Sequence, residues 1–371
     1  MKKKGQMIAV LILLAMIGVI AYRHSTGKDL EKYEASFFDV FDTQTQIIGY
    51  ASSKEQFSGQ MSLIKEKFQY YNDLYDIYHD YDGMNNIKTI NDNAGIQPVK
   101  VDEEIIALLK LGIAMDEKTN GNMNIAMGSV LSIWHDYREA GTDPDTAELP
   151  PMEDLQKAAE HTDIGNIIID EENSTVYLAD ENMSLDVGSI GKGYAVQRVA
   201  EYAKNELGIE HMLFSVGGNV CAIGGHPDGS DWAVGIQNPD MESEQAYVKK
   251  VEVKDLSVVT SGNYQRYYTV DGKRYCHIIN QDTLMPADYF SSVTIITSDS
   301  GMADAYSTAV FNMPLAEGME FVEGLDGVEA MWILEDGSIQ YSSGFAGYKK
   351  RSRTFEGEEA GRKAKFTDTE K

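Results

Sequence analysis

Cysteine is nearly missing from this chain: 371 residues contain two, Cys221 and Cys276. They are not spaced as zinc ligands or as a redox pair, so a zinc-built fold and a thioredoxin-like centre are excluded and no catalytic cysteine is proposed. One disulfide in an exported protein and two isolated buried thiols both stay open. Positive charge is the second shortage. Thirty-two Lys and Arg stand against 59 Asp and Glu, a formal net charge of −27. Binding DNA or RNA requires clustered cations on the phosphates, so a nucleic acid partner is excluded. A small anionic substrate is also repelled at long range, and a site for one must supply its own Lys, Arg, helix N-termini or divalent cation. Long apolar runs are the third shortage. Met7–Ala21 spans fifteen residues, follows MKKKGQ and precedes Tyr22-Arg23-His24. A basic start with an apolar core of that length reads as a secretory signal or an uncleaved signal-anchor over residues 1–24, the body lying on the extracytoplasmic side of a cell membrane. The lysines fit an N-terminus kept inside, and no Cys follows the run to take a lipid; the reading leans towards an anchor.

What is present is an ordinary globular body, with 43% hydrophobic residues, enough for a sizeable core in one large domain or two joined ones. Residues 25–35 read as a polar tether, 36–347 as the folded domain, and 348–371, charged and almost free of apolar side chains, as a disordered tail. Phe37–Ala51 has the partial alternation of an opening strand or strand pair. Across Gln56–Tyr81, Met61, Ile64, Phe68, Tyr71, Leu74, Ile77 and Tyr78 recur at three- and four-residue steps, which predicts one long amphipathic helix. Val101–Lys118 predicts another, closed by Gly121. Gly121–Trp134 reads as a buried connector. A short helix from Pro151, a hairpin over 166–179, a helix ending near Leu207 and strands over 211–216, 231–237, 248–259 and 292–297 follow. Many consecutive strands without a regular βαβ rhythm give an α+β class.

The stretch that gathers most chemistry is Ser184–Ala195, SLDVGSIGKGYA. It brings a carboxylate (Asp186), three glycines (Gly188, Gly191, Gly193) and a cation (Lys192) into one strand-to-helix turn. Backbone N–H groups at a helix start attract anions and a lysine adds a point charge, so the turn suits a polyphosphate. A Walker A motif needs Gly where Asp186 stands and Ser or Thr where Gly193 stands, so a P-loop NTPase is rejected. On its own the segment fits a plain glycine turn equally well. Further on, Ser298-Asp299-Ser300 offers N-caps for a helix that carries Asp304 and Thr308 at i and i+4, one face apart by a single turn. A carboxylate and a hydroxyl so placed make a hard-oxygen pair for Mg2+, which takes few protein ligands. The same pair also fits a helix whose Asp answers the dipole and whose Thr packs. His277, at a strand end in CHIIN, is equally open between a local hydrogen bond and a catalytic task.

Five blocks, LDVGSIGKGYAVQRVAEYAK, FSVGGNVCAIGG, WAVGIQNP, VVTSGNYQRYY with DGKRYCHIIN, and MADAYSTAVF, resemble in the same order the FAD:protein FMN transferases, the ApbE family, from about Phe38 to Phe345. The resemblance implies a mixed-sheet α+β domain of the ApbE-like, T-fold-related kind that uses FAD and Mg2+ to place FMN on a Thr hydroxyl of an exported electron-transfer flavoprotein, releasing AMP. By position it implies Asp304, Thr308 and the Ser189 carbonyl as metal ligands, Asp186 and Lys192 as nucleotide contacts, and Phe41 near the flavin or adenine. It places His277 and Ile278 at the active site, with His277 accepting or orienting the acceptor proton and Asp304 essential to catalysis. Arg266 and Tyr264 are secondary contacts or plain strand-surface residues. Gly121-Asn122-Met123-Asn124 stands where the family has Gly-Ala-Phe-Asp, so a nucleotide contact there would come from the amide of Asn124. Asn280-Gln281 replaces Asp-Pro after His-Ile. Two rivals use the same residues: a Mg2+-dependent FAD pyrophosphatase, and a surface flavin-binding protein without activity.

Overall fold

The computed structural model describes residues 30–348. The signal or anchor over 1–24 and the tail beyond residue 348 lie outside the described residues, and among those described no helix is long and apolar enough to cross a membrane. The chain opens with β1 (Glu31–Val40) and β2 (Thr43–Ala51). The strand therefore starts inside the stretch 25–35 assigned to a tether. Its polarity is that of an edge strand with one face in solvent.

Helix α1 (Lys54–Tyr75) starts at Ser53, whose side chain accepts the Gln56 N–H, and buries Phe57, Ile64, Phe68, Tyr71 and Leu74 along one stripe. It ends six residues before the expected Tyr81. Asp76 turns extended there and its carboxylate accepts the N–H groups of Tyr78 and His79 at 2.6 and 3.2 Å, an alternative to continuing the helix. Next come α2 (Ile87–Asp92), β3 (Val99–Lys100) and α3 (Glu103–Lys118). The expected connector holds α4 (Gly128–Ala140). Met127 gives it no side-chain cap, so the start signal that marks a helix in sequence is missing. After α5 (Met152–Ala159), β4 (Ile167–Asp170) and β5 (Thr175–Leu178) make the expected hairpin, joined by β3 into a small sheet.

The second half supplies α6 (Gly191–Asn205), β6 (Met212–Val216), β7 (Asn219–Ile223), β8 (Trp232–Gln237) and β9 (Tyr247–Val253). Then follow β10 (Ser257–Gly262), β11 (Tyr267–Val270), β12 (Lys273–Cys276), β13 (Phe290–Thr297) and α7 (Ser300–Phe311). The described chain closes with α8 (Leu315–Glu323), β14 (Glu329–Leu334) and β15 (Ile339–Tyr341). The single strand expected over 248–259 is two strands, split at Asp255, whose φ of 49° turns the backbone left-handed.

Eight strands form the main sheet in the order β1-β2-β6-β7-β10-β13-β14-β15. Every neighbouring pair in it is antiparallel, so the α+β class holds but the mixed sheet does not. Hairpins make β1-β2, β6-β7 and β14-β15, and the helices enter between β2 and β6 and, for α7 and α8, between the antiparallel β13 and β14, instead of crossing over between parallel strands. Both faces are covered. Val293 and Ile295 of β13 and Ala330 and Trp332 of β14 face the helices, whereas Ile296, Met331 and Ile333 face the β8-β9 ribbon. A strand buried on both sides carries apolar residues at consecutive positions, as Ile295-Ile296 do. Both cysteines are buried free thiols, which closes the disulfide alternative.

Helix α7 lies across β10 and β13 with α6 beside it. A Cβ on Gly193 of α6 would stand 2.3 Å from the Ser300 carbonyl and 2.4 Å from Asp304 Cβ, so only glycine permits this approach. A third apolar cluster, with Val130, Trp134, Tyr268 and Leu284, fastens α4 to the β11-β12 hairpin.

Candidate active site

The close crossing of α6 and α7 brings the glycine turn and the Asp304 helix together. Gly193 N–H, in the first turn of α6 and therefore without an intrahelical acceptor, donates to Asp304 Oδ2 at 2.7 Å. Lys192 Nζ stands 4.0 Å from Asp304 Oδ1. Asp304 is 4% exposed. Burial pushes its carboxyl up; the Lys192 charge, the Gly193 N–H and the nearby Asn219 amide act in the opposite direction. Asn219 is fully buried and neither of its polar side-chain atoms makes a well-formed hydrogen bond. It follows Gly217 and Gly218, whose φ values of 47° and 93° suit glycine, at the tight turn from β6 to β7. Asn219 was not among the residues expected here, and the double glycine before it is the signal that marks the turn.

Thr308 is half-buried one turn beyond Asp304, and its hydroxyl makes no hydrogen bond among the described residues. Because Gly193 N–H turns to Asp304, the Ser189 carbonyl keeps its lone pairs. The set of donors is one carboxylate, one hydroxyl and one carbonyl, all hard oxygens that fit Mg2+ with water and phosphate completing the shell. No group of three His, Cys, Asp or Glu that could hold a metal ion occurs among the described residues, so a cation here would have Asp304 as its one carboxylate ligand.

Asp186 occupies the start of the same turn. Its N–H donates to the Ile125 carbonyl at 2.9 Å and its Oδ1 accepts the Gly188 N–H at 2.8 Å. Burial pushes its carboxyl up, opposed by the Gly188 N–H and by Arg138 and Arg266. His277 follows β12 directly. Both its N–H and its Nδ1 meet the Arg266 carbonyl at 3.2 Å. A carbonyl only accepts, so Nδ1 carries the ring proton and Nε2 keeps a lone pair. Burial, helped by Arg266, Arg138 and Lys192, lowers the His277 pKa to about 4, so the ring is neutral at pH 7.

Other expected residues have internal tasks. Asn124 Oδ1 accepts the Ala126 N–H at 2.7 Å and its Nδ2 donates to the Thr162 carbonyl at 3.1 Å. Asn122 Nδ2 donates to the Thr119 carbonyl at 3.0 Å, and its own carbonyl accepts from Asn312 at 3.1 Å. Met123 and Ile278 are buried in the main apolar cluster, and Tyr264 is buried. Phe41 sits at the β1-β2 turn with φ 54° and its N–H on Asn72 Oδ1 at 2.8 Å, its ring partly packed on the core. The structure thus joins Asp186, Ser189, Lys192, Asp304 and Thr308 through one turn and one helix crossing, and it links His277 to Arg266, Arg138 and Lys192 electrostatically. Arg138 and His135, on α4, are additions that the sequence did not mark.

Comparison with known proteins gives the family and the fold. A protein named FAD:protein FMN transferase from Klebsiella pneumoniae (strain 342) is 28% identical over 305 residues, covering 82% of this chain and 92% of its own length. One of the same name from Treponema pallidum is 31% identical over 272 residues, covering 70% and 73%. The crystal structure of the ApbE protein from Thermotoga maritima superposes with a TM-score of 0.75 at 29% identity, over 86% of this chain and 100% of that one. A flavin transferase ApbE from Vibrio cholerae shares the fold with a TM-score of 0.72 at 23% identity. The model of the ApbE family matches residues 41–332, most of the described body, and the chain belongs to that family.

Proposed function

We propose that this chain moves FMN from FAD to a threonine hydroxyl of an acceptor flavoprotein, releasing AMP, with Mg2+ at the site. The observation that carries the reading is the junction of Asp304, Gly193 N–H and Lys192, a buried carboxylate held on a helix N-terminus beside a cation. That junction gathers the groups a pyrophosphate and its counter-cation require, inside a chain whose overall charge repels anions. Asp304, the Thr308 hydroxyl and the Ser189 carbonyl would hold Mg2+, which when bound supplies charge neutralisation to the pyrophosphate and to the departing AMP. Lys192 orients the phosphate oxygens, while the N–H groups of Gly188, Gly191 and Gly193 are engaged by Asp186, the Val187 carbonyl and Asp304. Phosphoryl transfer depends mainly on such positioning and charge neutralisation.

In the proposed step the acceptor hydroxyl oxygen bonds to the FMN-side phosphorus, the bond from that phosphorus to the bridging oxygen breaks, and AMP leaves with the bridging oxygen. The hydroxyl proton passes to His277 Nε2, the ring nitrogen left as an acceptor by the Arg266 carbonyl. Asp186 braces the turn through Gly188 N–H. Anchoring at a membrane through residues 7–21, with the domain outside, belongs to the same proposal and rests on the basic start and apolar run alone; cell fractionation of the full chain tests it.

The test of the reaction is to incubate the chain with FAD, Mg2+ and a threonine-bearing flavoprotein acceptor and to separate the nucleotides. AMP released in step with FMN bound to the acceptor supports the transferase. Free FMN with AMP makes the chain a pyrophosphatase, and FAD retained unchanged makes it a carrier.

A further inference from the structure

Two arginines stand out by what they lack. In a chain with a net charge of −27, carboxylate partners are plentiful. Of the four described arginines, Arg198 is paired with Glu104 and Glu201, and Arg274 stacks on the Tyr267 ring at 4.3 Å. Arg138 and Arg266 have no carboxylate within ion-pair distance among the described residues. Both nevertheless act on the same two site groups, Asp186 and His277. Arg138 is half-buried and Arg266 exposed, and neither guanidinium is neutralised by a carboxylate among the described residues, so both can receive an anion.

Arg138 is held in place rather than left to swing. Its Nη2 donates to His135 Nδ1 at 2.7 Å. A guanidinium has no lone pair, so His135 is the acceptor and its own proton sits on Nε2, the side of Glu139. The His135 ring lies 5.4 Å from that of Tyr78 at an interplanar angle of 33°. Helix α4 is fixed at both ends of the site. Gly128 N–H donates to the Ser184 carbonyl, two residues before Asp186, and Trp134 Nε1 donates to the Leu284 carbonyl in the loop after His277, each at 2.9 Å. Arg266 is fixed through its backbone, which carries both hydrogen bonds of His277.

We infer that Arg138 and Arg266 form an anion subsite beside His277 that takes a phosphate of the flavin nucleotide, in addition to Lys192. This rests on the transferase reading above and extends it to two residues outside the glycine turn and the Asp304 helix. With Lys192, these arginines place three cations among the carboxylates Asp42, Asp186 and Asp304, which offsets locally the negative charge of the chain. The planar guanidinium fork matches two phosphate oxygens at once, whereas Lys192 offers a point charge. Two such contacts keep the reacting phosphorus next to His277 Nε2.

The test measures the affinity of the full chain for FAD, FMN and riboflavin, at low and high salt, in the parent, Arg138→Gln, Arg266→Gln and Arg266→Lys. Each Gln variant is expected to bind FAD and FMN about tenfold more weakly, the loss expected for a charge-assisted contact, with a flatter salt dependence. Riboflavin, which has no phosphate, binds as to the parent, and Arg266→Lys recovers part of the loss. Arg266 is exposed, so its variants fold even where Arg138→Gln disturbs α4. FAD binding within twofold of the parent in both Gln variants overturns the subsite, and so does an equal loss for riboflavin. A raised KM for the acceptor with unchanged FAD affinity assigns the arginines to the acceptor and overturns it too. A parent chain that binds no flavin nucleotide refutes the transferase reading itself, and this inference with it.

Discussion

Replacing Gly193 by alanine adds one methyl group at the tightest point of the site. That methyl would lie 2.3 Å from the Ser300 carbonyl oxygen and 2.4 Å from Asp304 Cβ. Ordinary contact begins near 3.4 Å, so α6 and α7 must separate by roughly 1 Å. Overpacking of this kind costs about 1–3 kcal/mol. Unfolding entropy of about 2.1 cal/mol/K per residue over the 319 described residues converts that into a fall in Tm of about 1.5–4.5 °C. The effect on the reaction is larger. A displacement of about 1 Å at a positioning group costs about a hundredfold in rate, and here it also stretches the Gly193 N–H bond to Asp304. Gly191, two residues earlier, is the control, because its added Cβ would meet nothing closer than Val187 Cγ2 at 3.4 Å. Thermal unfolding and FMN transfer to the acceptor, measured on both variants, give the comparison. Gly193→Ala is expected to stay folded and lose about a hundredfold in rate, with Gly191→Ala near the parent. A Gly193→Ala chain with parental rate, or equal losses in both, refutes the reasoning that this contact sets Asp304.

His277, with its pKa lowered to about 4, stays neutral through the acid range, so the acid limb of kcat/KM in the free protein falls near pH 4; a limb near about 6.5 contradicts the desolvated ring. The same shift has a sign for stability. The unfolded chain takes up the proton at about 6.5 and the folded chain only at about 4, so stability is lost as the pH falls through that window, and His277→Gln flattens the loss in urea titrations. Asn124→Asp removes the donor to the Thr162 carbonyl; urea unfolding is expected to show a loss of about 1–3 kcal/mol. Asp304→Asn removes a carboxylate that burial disfavours, so thermal unfolding at neutral pH finds it no less stable than the parent while FMN transfer is abolished.

Much of the site can be read before the fold is known, because it depends on local spacing. The glycine turn joins Asp186, Ser189 and Lys192 within a few residues, and Asp304 with Thr308 needs only the helical repeat. What joins the two pieces is not local. The Gly193 to Asp304 bond spans a sequence gap of 111 residues, and only the five ordered blocks of the resemblance pointed to it. Arg138 and His135 were hidden because α4 has no capping side chain at its start. Arg266 reads as a strand-surface residue until the β11-β12 hairpin folds back and its carbonyl meets His277. Asn219 has no pattern of its own; its place depends on burial between sheet and helix. The antiparallel order of the main sheet was equally out of reach, since β2 pairs with β6 across six helices of intervening chain.

The most direct test of the account is the intact mass of a threonine-bearing acceptor after incubation with FAD and either the parent or Asp304→Ala, with Mg2+ and with a chelator. The account predicts that the acceptor gains one FMN only with the parent and Mg2+. An acceptor modified equally by Asp304→Ala, or by the parent under chelation, would contradict the assignment of Asp304 and Mg2+ to the transfer.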